Sequence, residues 1–220
     1  MKEFNKYFDH TLLKADATET QVMSICHEAV EYNFASVCVN SCYVRMCVKA
    51  LQLSGVNVAT VVGFPLGAMS TAGKVSETIQ ALNDGASEID TVINIGALKD
   101  ERYSLIENEL KQLTEACHSK GAILKVIIET CLLTEDEKIA ACRLVSDSGA
   151  DFIKTSTGFS TGGATIDDIK LMKDNISPSV QIKAAGGIRT LQDAESFIAA
   201  GANRLGCSAS VSIMKEYRNK

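Results

Sequence analysis

Hydrophobic positions along this chain alternate between two patterns. Short runs rich in β-branched residues are each followed by a helix-length stretch with apolar positions at helical spacing. The first short run is Phe8-Asp9-His10-Thr11-Leu12, followed by a helix over about 18–33 with Thr18 as a plausible cap. Next come a strand over 35–40 and a helix to Leu53, then a strand over 57–63 ended by Phe64-Pro65 and a helix over 70–83. A fourth strand covers 88–94 with a helix over 101–120 behind it, and a fifth covers 123–129. Thr134-Glu135-Asp136-Glu137 fits a capping box opening the next helix. The last strands are read at 152–156, 181–185 and 204–207, with helices over 190–200 and through Met214.

Strands alternating with crossover helices imply a parallel sheet of the α/β class. Eight such units in 220 residues predict a single (β/α)8 TIM barrel, one domain over residues 1–220. A doubly wound open sheet is the alternative. It usually needs fewer strands, and the glycine fingerprint often found after its first strand is absent here.

Strands buried on both faces should read as continuous apolar runs, and these do not. Successive strand side chains face opposite ways. Asp90, Val92 and Asn94 therefore share one face of the fourth strand, against Ile89, Thr91 and Ile93. In the fifth, Lys125, Ile127 and Glu129 oppose Leu124, Val126 and Ile128. Lys154 and Lys183 stand in the sixth and seventh. If the apolar sets pack on the helices, an aspartate and three lysines point into the barrel. Each lysine alone admits two readings: snorkelling or pairing with a carboxylate, or deprotonating to become a nucleophile toward carbonyls. The cluster favours chemistry. Two ammonium groups ~4–5 Å apart on neighbouring strands repel by roughly 3–4 kcal/mol at an effective dielectric near 20, which favours a free amine on one of them. Asp90 opposes this if it sits equally close to both. The arrangement works best if Asp90 pairs with Lys183 or Lys125 and leaves Lys154 free.

A second constellation suits an anion. Gly186-Gly187-Ile188-Arg189-Thr190 follows the seventh strand and Gly206-Cys207-Ser208-Ala209-Ser210 the eighth. Both place small residues and backbone N–H groups at a helix start, where this fold habitually binds phosphate. Thr155 to Gly158 and Gly162-Gly163 extend the same wall, and Arg189 is read as lying on the exposed side of its helix. Cys38 is read as pocket lining, His10 as a candidate near the mouth of the first strand, and His27 and His118 as surface or packing residues.

The formal charge of −5 and the lack of a basic cluster argue against a nucleic-acid partner. No apolar signal core or membrane-length run is present, so no membrane partner is expected. The eight scattered cysteines read as reduced thiols of a cytoplasmic protein. With no metal-ligand set and no nucleotide fingerprint, no metal or other cofactor is expected. The partners are small molecules; a homo-oligomer, dimer or tetramer, stays open.

Five segments resemble the deoxyribose-phosphate aldolase family over nearly the whole chain. They are Asp9 to Leu13, Glu88 to Asp90, Leu124 to Thr130, Asp151 to Phe159 and Lys183 to Thr190. The resemblance implies a class I aldolase that reversibly cleaves 2-deoxy-D-ribose 5-phosphate to acetaldehyde and D-glyceraldehyde 3-phosphate. By that similarity Lys154 is the Schiff-base lysine, Lys183 the neighbour that lowers its pKa, and Asp90 the carboxylate of a proton relay. Gly158, Gly186, Gly187 and Ser208 match the phosphate pocket; Lys125 serves the relay or balances charge. Two departures stand out: Phe159 and Ala209 replace a lysine and a serine found in some members, so phosphate contact rests more on backbone N–H groups. Tyr217 lies near the C-terminus, where some members end in a tyrosine that aids proton transfer. The alternatives are a phosphosugar isomerase, for which Glu129 and His10 would be a poor base–electrophile pair, and a non-catalytic phosphosugar-binding barrel.

Overall fold

The computed structural model describes residues 3–220. Eight parallel strands close in sequence order into one barrel, with β1 pairing to β2 and to β8. They are β1 (Phe8–Leu12), β2 (Ser36–Val39), β3 (Asn57–Val62) and β4 (Glu88–Val92), then β5 (Ile123–Ile127), β6 (Phe152–Lys154), β7 (Gln181–Ala185) and β8 (Arg204–Cys207). The helices outside them are α1 (Glu19–Glu31), α2 (Val44–Leu51), α3 (Thr71–Asn83), α4 (Ile95–Lys99) and α5 (Tyr103–His118). The ring is completed by α6 (Glu135–Asp147), α7 (Ile166–Asn175), α8 (Leu191–Ala200) and α9 (Ser210–Arg218). None of these helices is long and apolar enough to cross a membrane.

Local sequence sets the boundaries. Thr18 and Gln21 form a reciprocal capping box at α1, and Thr134 with Glu137 does the same at α6, each satisfying two orphan N–H groups. Three strands end two residues sooner than the apolar runs predict. β4 stops at Val92 because Asn94 turns out to cap α4, its Oδ1 accepting the Ala97 N–H at 3.0 Å. β5 stops at Ile127 because Glu129 takes a left-handed backbone, φ 54°. β6 stops at Lys154, where a hydroxyl- and glycine-rich turn begins. Two helices had no predicted bounds, the one-turn α4 and α7 behind that turn.

The outer faces of the strands make the main core. Ile89, Leu124, Val126, Ile153 and Ile182 are buried between barrel and helices, and each contributes roughly 1.5–3 kcal/mol. The inner faces divide. Cys38, Ala59 and Val61 fill one side with apolar groups, joined by Leu13 and Phe64. The other side is charged, and its desolvation is a cost that the outer core offsets.

Candidate active site

Strand register stacks the interior charges. Asp90 lies opposite Lys125 across β4–β5, Lys154 opposite Lys183 across β6–β7, and Lys183 opposite Arg204 across β7–β8. Asp90 is the hub. Its Oδ1 accepts from Lys125 Nζ at 2.8 Å, and its Oδ2 accepts from both Lys154 Nζ and Lys183 Nζ at 2.7 Å. The in-phase aspartate and lysines read from the strands are thus one cluster.

Three further charges belong to it and were not anticipated. Asp9 pairs with Lys183 at 2.5 Å and with Arg204 at 2.5 Å. Glu88 pairs with Lys125 at 2.6 Å and with Arg204 at 3.3 Å. These set which amine holds its proton least firmly. Asp90 is equally close to Lys154 and Lys183, the condition expected to oppose a free amine, yet the two lysines remain unequal. Lys183 has Asp9 and Lys125 has Glu88, each as a second carboxylate, whereas Lys154 has only its share of Asp90. Burial, and after it the Lys183 ammonium, therefore hold Lys154 below the ordinary lysine value despite Asp90. Burial pushes the same way on Lys183 and Lys125, but their paired carboxylates outweigh it and hold both above that value. Burial presses Asp90 toward protonation, and the three lysines overcome it, keeping Asp90 an anion. The neighbouring cation anticipated as the main cause is secondary to burial.

Lys154 also differs in what it faces. It lines a mouth cavity of about 290 Å³ together with Gly158, Gly186, Gly187 and Ser208. Gly158, Gly186 and Gly187 each have φ 84°, a backbone form that L side chains rarely adopt. Gly163 lets the turn after β6 press on the turn after β7, since a Cβ there would stand 2.4 Å from the Gly186 carbonyl oxygen. Ala164 N–H donates to the Ala185 and Gly186 carbonyls at 3.1 Å, fixing that contact.

Three residues expected to face substrate do not line this cavity. Thr155 lies on the outer phase of β6, where its hydroxyl donates to the Ala185 carbonyl and accepts the Ala185 N–H, each at 3.1 Å. Lys125 is fully buried beneath Asp90. Cys38 is fully buried among the interior apolar groups, and burial pushes its thiol up to about 11.

His10 faces out of the barrel. Its Nε2 bonds Glu28 at 2.6 Å, its Nδ1 meets Ser210 Oγ at 3.2 Å, and its ring lies against Phe34. Glu129 braces the turn after β6 by accepting the Thr157 backbone N–H and hydroxyl. Phe159 sets its ring edge-to-face on Phe64, 5.2 Å between centroids, at the cavity mouth. Tyr217 stacks on Phe4, ahead of the start of β1, at the end of the barrel away from the cavity. His118 pairs with Asp151 at the surface.

Gly206 is a further residue, read from the sequence as part of the eighth strand and of the phosphate turn but with no role toward Lys183. A Cβ there would meet Lys183 Cε at 3.0 Å and Ala185 Cβ at 3.2 Å. Gly206→Ala therefore displaces the Lys183 side chain from the Asp9–Asp90 pair. Overpacking of this kind costs about 1–3 kcal/mol, so a thermal melt falls together with turnover. Turnover kept at the wild-type level would show that Lys183 has room to move.

Comparison with known proteins places the chain among relatives. A family model described as DeoC/LacD family aldolase matches residues 4–213. The deoxyribose-phosphate aldolase of Streptococcus equi subsp. zooepidemicus is 55% identical over 211 residues, 96% of this chain and 95% of the relative. That of Finegoldia magna is 54% identical over 213 residues, 97% of this chain and 99% of the relative. The solved structure of a tetrameric deoxyribose phosphate aldolase from Aeropyrum pernix superposes with a TM-score of 0.92 at 29% identity, covering 98% of this chain and 91% of that one.

Proposed function

We infer that this chain, which belongs to the DeoC/LacD family of aldolases, reversibly cleaves 2-deoxy-D-ribose 5-phosphate to acetaldehyde and D-glyceraldehyde 3-phosphate through a Schiff base on Lys154. One observation carries this reading: Lys154 is the one lysine of the interior cluster on the cavity wall and the one without a carboxylate of its own. The identity to named aldolases supports the substrate.

The steps follow from the groups present. Neutral Lys154 Nζ adds to the C1 aldehyde of the open-chain sugar and loses water, giving an iminium. The iminium draws electrons from the C2–C3 bond, and a water held on Asp90 takes the proton of the C3 hydroxyl as that bond breaks. The enamine left on Lys154 is protonated at C2 and hydrolysed to acetaldehyde. Asp90 suits a relay because its lysine partners keep it ionised. Lys183 suits a fixed charge because its two carboxylates keep it protonated. The turns after β6, β7 and β8 offer N–H groups and the Ser208 hydroxyl to the phosphate end.

The isomerase alternative needs Glu129 and His10 to act on one substrate. Glu129 is engaged by Thr157, and His10 points away from the barrel interior toward α1. A binding-only barrel gives no reason for a depressed amine at a cavity wall. Borohydride reduction with acetaldehyde decides the matter. Mass spectrometry of the digested protein is expected to locate an added ethyl group on Lys154. An adduct on Lys183 or Lys125, or none beside intact turnover, contradicts the assignment.

A further inference from the structure

The cavity that Lys154 lines carries two exposed cations on its rim, Lys14 and Arg189. The Arg189 guanidinium, like the Lys14 ammonium, has no carboxylate within ion-pair distance among the described residues, but it lies in the field of Asp193. The backbone N–H of Arg189 and that of Thr190 each donate to Asp193 Oδ2 at 3.0 Å. The Arg189 N–H first, and its guanidinium charge among the lesser causes, hold the Asp193 carboxyl below its ordinary value. Lys14, just past β1, has no carboxylate within ion-pair distance among the described residues.

A phosphate monoester brings a charge of about −1.5 to −2 at neutral pH. The cradle of Gly158, Gly186, Gly187 and Ser208 supplies hydrogen-bond donors and no formal charge. Phe159, on the same wall, brings a ring. In the barrel interior, Lys125, Lys183 and Arg204 are matched by Asp9, Glu88 and Asp90. Once Lys154 is a neutral amine, Lys14 and Arg189 are the cations on this wall, among the described residues, that no carboxylate pairs, and Arg189 already acts on Asp193, which leaves Lys14 the less committed of the two.

We propose that Lys14 is the counter-charge for the substrate's phosphate and determines the preference for phosphorylated over unphosphorylated sugar. This rests on the aldolase reading of the cavity. Lys14 is long and solvated, so it follows the phosphate into the cradle without disturbing the turns, and it acts on binding rather than on the bond being cleaved.

The test compares cleavage of 2-deoxyribose 5-phosphate with that of 2-deoxyribose in wild type, Lys14→Gln, Lys14→Arg and Arg189→Gln. Titration of each protein with inorganic phosphate runs in parallel and needs no turnover. A charge-assisted contact of this kind is worth roughly tenfold to a hundredfold. In Lys14→Gln, KM for the phosphorylated sugar is expected to rise by that factor with kcat within a few-fold, inorganic phosphate to bind more weakly, and the substrate preference to collapse. Lys14→Arg retains the preference, and Arg189→Gln moves it by less. The proposal is overturned if Lys14→Gln leaves KM and phosphate affinity unchanged, if both sugars lose equally, or if Arg189→Gln carries the whole effect. A wild type that cleaves neither sugar refutes the aldolase reading instead, and the phosphate titration still decides the role of Lys14.

Discussion

Lys154→Met is expected to lower kcat by about 10⁴-fold or more, because no other amine in the cluster can replace the nucleophile. Lys183 and Lys125 are fully buried and each is held protonated by two carboxylates. The more diagnostic expectation concerns stability. Removing one partner of a buried ion pair usually destabilises by about 3–5 kcal/mol, because a charge is left uncompensated. Here it does not. Without Lys154, Asp90 still accepts from Lys125 and Lys183 at 2.8 and 2.7 Å. The carboxylates Asp9, Glu88 and Asp90 also still face Lys125, Lys183 and Arg204 in equal number. Lys154 is the surplus cation of the interior. Met replaces it with an apolar chain of similar length at a site that is 3% exposed. The melting temperature should therefore stay level or rise while turnover and borohydride trapping disappear. A fall of more than about 10 °C, which for a chain of this size means several kcal/mol, would show that the ammonium is charged and structurally required.

Much of this site is legible in strand phase alone. Asp90, Lys125, Lys154 and Lys183 sit on the faces opposite Ile89, Leu124, Ile153 and Ile182, and those apolar residues are the ones buried against the helices. Phase also explains the position of Thr155, which shares the outer phase of Ile153, and of His10, whose neighbours Asp9 and Thr11 take the inner one. What phase does not show is contact between strands distant in sequence. Asp9 reaches Lys183 and Arg204 because β1 closes on β8. Until closure is established, a charged residue near the end of a short strand reads as solvated. Glu88 and Arg204, each first in its strand, escape notice for the same reason, although each lies two residues before an inward group. The bounds of α7 were hidden behind the glycine-rich turn after β6, and α4 was hidden because a single turn leaves no periodicity to detect. The ranking of burial above the Lys183 charge required the enclosed volume itself.

Lys183→Met carries the second large effect, and its sign follows from the same charge pattern. The substitution removes one repelling ammonium from beside Lys154. It also leaves Asp9, Glu88 and Asp90 facing Lys125, Arg204 and Lys154, so the proton that Lys154 had given up becomes the one that balances the interior. Both changes raise its pKa from the depressed position it holds in wild type. Activity needs the free amine, so the acid limb of the kcat/KM profile moves to higher pH. A lost repulsion of roughly 3–4 kcal/mol corresponds to a decrease on the order of 10²- to 10³-fold at neutral pH. Burial, the larger depressing influence, is untouched, so activity recovers in part at alkaline pH instead of vanishing. Stability gives an independent check. In wild type the unfolded chain holds the Lys154 proton up to the ordinary lysine value of 10.5 and the folded chain releases it lower. Between those points stability rises with pH. In Lys183→Met that window narrows and the rise with it, superimposed on a general loss from unpairing Asp9. Lys183 also contributes in wild type a stabilisation present below 10.5 and lost only above it, and the variant lacks that alkaline loss. If the acid limb keeps its place and only the plateau drops, Lys183 acts by holding a proton or a shape, and not through its charge on Lys154.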